Sequence, residues 1–179
     1  MMAGKNIGSR IVAERIPQGS VGVEIGVWRG DSSVLFLERA GYLHLVDPWA
    51  PEPYTNMHDY LARYQHIVRG STVADFRAYY AGIYADVCAR FKGKPVSIHR
   101  CISSEFFATF AEHVDWVYID GSHEYSDVLA DLKGAAKIVK PGGWIYGDDY
   151  GNKDGVIQAV DEYAPQREVL GMNQYAIPC

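Results

Sequence analysis

The sequence predicts an α/β fold: a doubly wound, mostly parallel sheet of seven strands that closes with a C-terminal antiparallel hairpin. Three observations lead there. Short apolar runs alternate with segments whose apolar residues recur at helical spacing. Turns bearing glycine or aspartate directly follow those runs. The last stretch changes character, with two short strand-like runs joined by Gly171-Met172-Asn173.

Ile7, Ile11 and Val12 fall on one helical face, which predicts a helix over residues 7–16 that Pro17-Gln18-Gly19 stops. Val21–Ile25 is the first strand. Asp31-Ser32-Ser33 supplies caps for a helix through about Ala40, and Tyr42–Val46 is the second strand. Three further strands follow at 96–100, 114–119 and 143–146. Helices are expected at 104–112 and 125–139, the latter from the spacing of Val128, Leu129, Leu132, Ala136 and Val139 before a stop at Pro141-Gly142-Gly143. A helix at 155–163 precedes hairpin strands at 167–170 and 174–177.

Residues 49–93 are too long for an ordinary strand-to-strand connection and should hold two or three helices. Tyr54, Tyr60, Tyr64, Tyr79, Tyr80 and Tyr84 lie here, and four-residue spacings such as Tyr60 with Tyr64 and Tyr80 with Tyr84 point first to packing. An insertion leaving the carboxyl end of a strand lies on the ligand side of the sheet. Within a single domain spanning 1–179, residues from about 49 to 94 are therefore expected as a lid or substrate wall.

A chain of 179 residues at 48% hydrophobic can bury one sizeable core. Its net charge of -5 and lack of a Lys/Arg cluster argue against nucleic acid or an anionic membrane as principal partner. A small polar or aromatic substrate fits better. No apolar run approaches the ~18 residues of a membrane span, and residues 1–10 lack the apolar core of a signal peptide, so a cytoplasmic location is expected. Cys88, Cys101 and Cys179 show no CxxC spacing and read as reduced thiols. Oligomeric state is left open, a homo-oligomer included.

Val23-Glu24-Ile25-Gly26-Val27-Trp28-Arg29-Gly30-Asp31-Ser32 reads as a strand, a glycine turn and a helix start, where a ligand can approach the backbone and free N–H groups. The glycines lack GxGxxG spacing, which argues against a nicotinamide cofactor. Asp47 ends the second strand, where an acidic residue can accept both hydroxyls of a ribose or serve as a structural carboxylate. Ser103 and Ser104 offer small polar groups suited to an adenine edge, and Ser104 could equally cap a helix.

Two acidic clusters follow apolar runs: Val117-Tyr118-Ile119-Asp120-Gly121-Ser122-His123 and Gly147-Asp148-Asp149. The gap from Asp120 to Asp148, 148-120 = 28 residues, accommodates one helix and one strand. Three aspartates at adjacent strand ends suggest a hard-cation site, with solvated turn residues as the alternative.

Together these segments resemble a class I S-adenosylmethionine-dependent methyltransferase, and within it the divalent-metal-dependent small-molecule O-methyltransferases of catechol and macrolide-sugar type (methyltransferase family 24-like). The resemblance implies a Rossmann-like sheet across nearly the whole chain. It implies Glu24, Gly26, Gly30 and Ser32 around the methionine and ribose moieties, Asp47 on the ribose hydroxyls, Ser103 and Ser104 near adenine, and Trp28 against the cofactor where catechol-type enzymes carry a tyrosine. Asp120 would serve both cofactor and catalysis. Asp120, Asp148 and Asp149 would hold Mg2+ or Mn2+, the double aspartate being that of the macrolide-sugar branch.

His123 stands three residues past Asp120, where catechol-type enzymes place a lysine general base, and an imidazole of pKa near ~6.5 suits that work. Macrolide-sugar enzymes instead carry Asp-Gly-Asp, and Ser122 takes the second aspartate's position. His123 as base, and His123 as a loop residue that orders the site or touches substrate, both stay open. The implied reaction methylates a hydroxyl of a small compound such as a catechol, a sugar or a secondary metabolite. Metal-independent or nitrogen methylation on the same fold is the alternative, as is a cofactor-binding protein of the hydroxylase-associated type without methyl transfer. His44, His58, His66, His99 and His113 show no ligand-like spacing.

Overall fold

The computed structural model describes residues 7–52 and 56–179; Tyr54 and the first six residues of the expected signal-free start lie outside them. Seven strands form one sheet: β1 (Val21–Ile25), β2 (Tyr42–Val46), β3 (Val96–His99), β4 (Val114–Ile119), β5 (Val139–Gly147), β6 (Glu168–Gly171) and β7 (Gln174–Pro178). Their order is β3-β2-β1-β4-β5-β7-β6. The first five run parallel, while β7 pairs antiparallel with β5 and β6 antiparallel with β7. The predicted fold is the observed one. Strand order reverses between β1 and β4, which makes their carboxyl ends the point where an open α/β sheet forms a crevice.

Side chains alternate across each strand, so the sheet feeds two apolar layers. Val23, Ile25, Val117 and Ile119 point one way, against α5 (Ser103–Thr109), α6 (Tyr125–Ile138) and α7 (Asp154–Tyr163) through Phe106, Leu132 and Val160. Leu43, Leu45, Trp116 and Tyr118 point the other way, against α1 (Ile7–Arg15), α2 (Asp31–Phe36) and α4 (Val73–Arg90) through Val12, Phe36 and Val87. Each face is covered, and none of the first five strands lies open to water on both sides.

Several boundaries differ from the sequence reading. On α1 the buried face is Ser9, Val12 and Ala13, and Ile7 is exposed. Helix α2 stops at Phe36 rather than near Ala40, and its N-cap is Gly30 in the left-handed region, with no side-chain cap. Asp31 pairs instead with Arg90 at 2.6 Å. Helix α5 ends at Thr109, short of the expected Glu112, and begins after Ile102, so Ser104 is a first-turn residue and not the cap. Pro141-Gly142-Gly143 does not end α6. That helix stops at Ile138, and the three residues bulge within β5, between the Val114–Val139 and Trp116–Trp144 pairs. Gly142 at φ 82 permits the bulge, and the Cys179 carbonyl accepts its N–H at 2.7 Å.

The insertion holds two described helices, α3 (Met57–Val68) and α4. Asn56 caps the first, and a Thr72–Asp75 capping box starts the second. Tyrosines here pack on one another: the Tyr60 and Tyr64 rings lie 4.9 Å apart, and Tyr60 and Tyr80 share a hydroxyl hydrogen bond. The Tyr84 ring lies 5.2 Å from that of Trp49, tilted by 49°, with Arg100 over its face. The three cysteines are free thiols. Among the described residues no helix is long and apolar enough to cross a membrane.

Candidate functional site

Ladder hydrogen bonds run one step past four strand ends. Asp47 N–H bonds the His99 carbonyl at 3.2 Å, Gly26 N–H the Val46 carbonyl at 2.9 Å, Asp120 N–H the Ile25 carbonyl at 2.8 Å, and Asp148 N–H the Ile119 carbonyl at 3.1 Å. These backbone bonds align Asp47, Gly26, Asp120 and Asp148 in a row along the carboxyl edge of β2, β1, β4 and β5. At its centre a Cβ on Gly26 would lie 2.0 Å from the Asp120 carbonyl oxygen, on a backbone at φ 87. The glycine therefore lets the loops after β1 and β4 touch.

In the early half, Glu24 is fully buried and both its oxygens accept hydroxyls, from Ser32 and Ser33. Burial pushes its carboxyl up to about 7, opposed by the two serines and reinforced by the charge of Asp47. Glu24 and Ser32 thus tie α2 to β1. Gly30 is required by its φ of 73 and by Phe91, whose ring carbon would sit 2.6 Å from an added Cβ. Asp47 accepts Trp28 N–H at 2.9 Å and Trp49 N–H at 2.7 Å, and burial raises its pKa against these bonds. It holds the loops after β1 and β2 together. Trp28 is 48% exposed and carries the Arg29 guanidinium over its ring.

In the late half, donor atoms of Asp120, His123 and Asp149 lie within 4.8 Å of one another. His123 Nε2 is 2.7 Å from Asp149 Oδ2. Asp149 adopts a left-handed φ of 65, which turns it back toward that loop. Burial, then the charges of Asp148, Asp149 and Glu24, hold the Asp120 carboxyl well above the usual range. Burial also raises Asp148. For Asp149 burial pulls upward but the hydrogen bond and charge of His123 outweigh it, and its pKa is lowered. Asp148 is not among the three clustered donors: its Oδ1 accepts the Asp149 N–H at 2.6 Å, and Gln174 bonds its side chain. Ser122 accepts Glu124 N–H and donates to Asp127, ordering the same loop.

The clustered donors fit a dication, since oxygen or nitrogen ligands about 2.0–2.6 Å from one ion can stand this far apart. A positive charge there would also offset the burial and the neighbouring charges that raise Asp120. A small cavity abuts them, lined by Asp120, Ser122, His123, Asp148 and Tyr175. Tyr175 is one residue the sequence reading missed. It is 0% exposed and its hydroxyl has no hydrogen-bond partner among the described residues. Asp131 is another, buried on α6 and pushed by burial up to about 7, with Ser103 bonded to it. Helical periodicity signals it, since it sits on the face of Val128, Leu132 and Ala135. Ser103 is thereby engaged with α6.

Over residues 23–150 the chain matches the methyltransferase domain family. No curated protein matches it. Among solved structures, a Streptococcus mutans protein described as a methyltransferase, in complex with SAH, superposes with a TM-score of 0.60 at 12% identity, covering 97% of this chain and 96% of that one. An rRNA methylase from Streptococcus thermophilus gives 0.59 at 9% identity over 98% and 96%. The O-methyltransferase NovP gives 0.56 at 18% identity over 94% and 74%. At such identities the likeness is one of fold.

Proposed function

We propose, from the premise that this chain belongs to the methyltransferase domain family, that it transfers a methyl group from S-adenosylmethionine to a hydroxyl oxygen of a small molecule, with a divalent cation in the acidic crevice. One observation carries the reading: the Gly26–Asp120 contact joins the glycine turn to the carboxylate cluster, so a nucleotide-type pocket and a cation-type pocket share one crevice. The acidic surroundings and net charge of -5 favour a small neutral substrate over the RNA of the rRNA methylase neighbour, which is 9% identical.

In this reading Asp47, which accepts the backbone N–H groups of Trp28 and Trp49, turns remaining lone pairs to the ribose hydroxyls. Trp28 lies against the cofactor, and Gly26 and Gly30 give the chain the shape that lets it approach. Asp120 and Asp149 hold the cation. A dication held by these residues would supply Lewis acidity that lowers the pKa of a substrate hydroxyl. Helices α3 and α4 form the substrate wall, with α4 tied to the glycine turn through Arg90 to Asp31 and Arg29 to Tyr79. Calorimetry with S-adenosylmethionine and a methylation assay on catechols and sugars, each with and without chelator, test the reading. Cofactor binding and chelator-sensitive turnover are expected. No cofactor binding at millimolar ligand would sink it, and full activity in chelator or in Asp120→Asn would select a metal-independent enzyme.

A further inference from the structure

We propose that His123 is a metal ligand, so that Asp120, His123 and Asp149 form a mixed carboxylate and imidazole site selective for a first-row transition dication over Mg2+. This rests on the reading that a dication belongs in the crevice. It departs from an all-aspartate ligand set and from a base role for His123.

Geometry picks these three side chains. Their donor atoms lie within 4.8 Å of one another, and the 2.7 Å contact already aligns His123 Nε2 with Asp149 Oδ2. Asp148 has other partners, the Asp149 N–H at 2.6 Å and the Gln174 side chain. The third side chain of the cluster offers nitrogen. An independent feature also points to an occupant: the Tyr175 hydroxyl, 0% exposed and without a partner among the described residues, belongs to a residue lining the cavity shared by Asp120 and His123. That cavity has room for about one water-sized or ion-sized particle, and an ion or its water there would supply the partner this phenol lacks.

Ligand chemistry then sets the metal. Mg2+ is hard, demands oxygen donors and sheds water reluctantly, whereas imidazole suits first-row transition ions. Three protein donors leave coordination positions open for a substrate. A histidine bound through Nε2 carries its proton on Nδ1, so it cannot also remove one from substrate.

Mn2+ is the probe, added to the full chain with S-adenosylmethionine present. Pulsed electron paramagnetic resonance should show nitrogen hyperfine coupling to Mn2+ in the wild type, a result that needs no variant. Calorimetry should give Mn2+ at least about tenfold tighter binding than Mg2+. In His123→Ala the coupling should vanish and that ratio should fall toward one. Mn2+ bound without nitrogen coupling, or coupling that survives in His123→Ala, overturns the ligand assignment and leaves the metal-dependent reading standing. No binding of either ion at millimolar metal, with the cofactor still bound, overturns both.

Discussion

At Gly26 an added methyl would sit 2.0 Å from the Asp120 carbonyl oxygen, and the backbone there is at φ 87. Neither the contact nor the dihedral admits a side chain without a shift of the β4 loop. Gly26→Ala is accordingly expected to lower the unfolding free energy by more than about 2 kcal/mol in a urea titration; a loss below about 0.5 kcal/mol would contradict it. The placement of Gly26, Asp47 and Asp120 at strand ends was readable in the sequence. The carboxylate partners were not. That Ser32 and Ser33 satisfy Glu24, and that Gln174 bonds Asp148, depend on side chains brought together from separate elements.

Helix α2 is six residues long, too short to be stable by its own hydrogen bonds, and it carries no side-chain cap. What fixes its start is the pair of serine hydroxyls on Glu24. Ser33→Ala leaves one oxygen of a fully buried carboxyl without its donor, an expected cost of about 1–3 kcal/mol. Asp31→Ala removes only an ion pair with Arg90 whose side chains are 54% and 39% exposed, expected at about 0–1 kcal/mol. Equal midpoint shifts for the two variants at neutral pH would count against this ordering. Element boundaries misled the sequence reading where a tertiary contact overrode a local signal. Pro141-Gly142-Gly143 looks like a helix stop, yet Val139 pairs with Val114 and draws the segment into the sheet.

Across the whole molecule, two buried carboxyls make stability depend on pH in an unusual direction. Burial raises Glu24 from 4.5 to about 7 and Asp131 from 3.8 to about 7. At these two groups the native state therefore binds more protons than the unfolded chain between those values, and their contribution to stability falls as pH rises through that window. Each group contributes on the order of 3 kcal/mol that is present below its unfolded pKa and lost above about pH 7. The thermal midpoint should decline from about pH 5 to about pH 8, and Glu24→Gln should flatten part of the slope; a midpoint flat or rising with pH in the wild type would refute this. The parallel order itself was legible because apolar runs and helical spacings alternate over a long stretch, from Val21 to Tyr163. One further consequence lies in the contact between the loops after β1 and β4. Since they meet through backbone, stiffening either one lowers the entropy left to lose at the other, so the two ligands of the proposed reaction should bind cooperatively. S-adenosylmethionine affinity should then rise severalfold with Mn2+ present, by the same factor that Mn2+ gains from the cofactor, and a factor of one would mean that the shared backbone carries no such message.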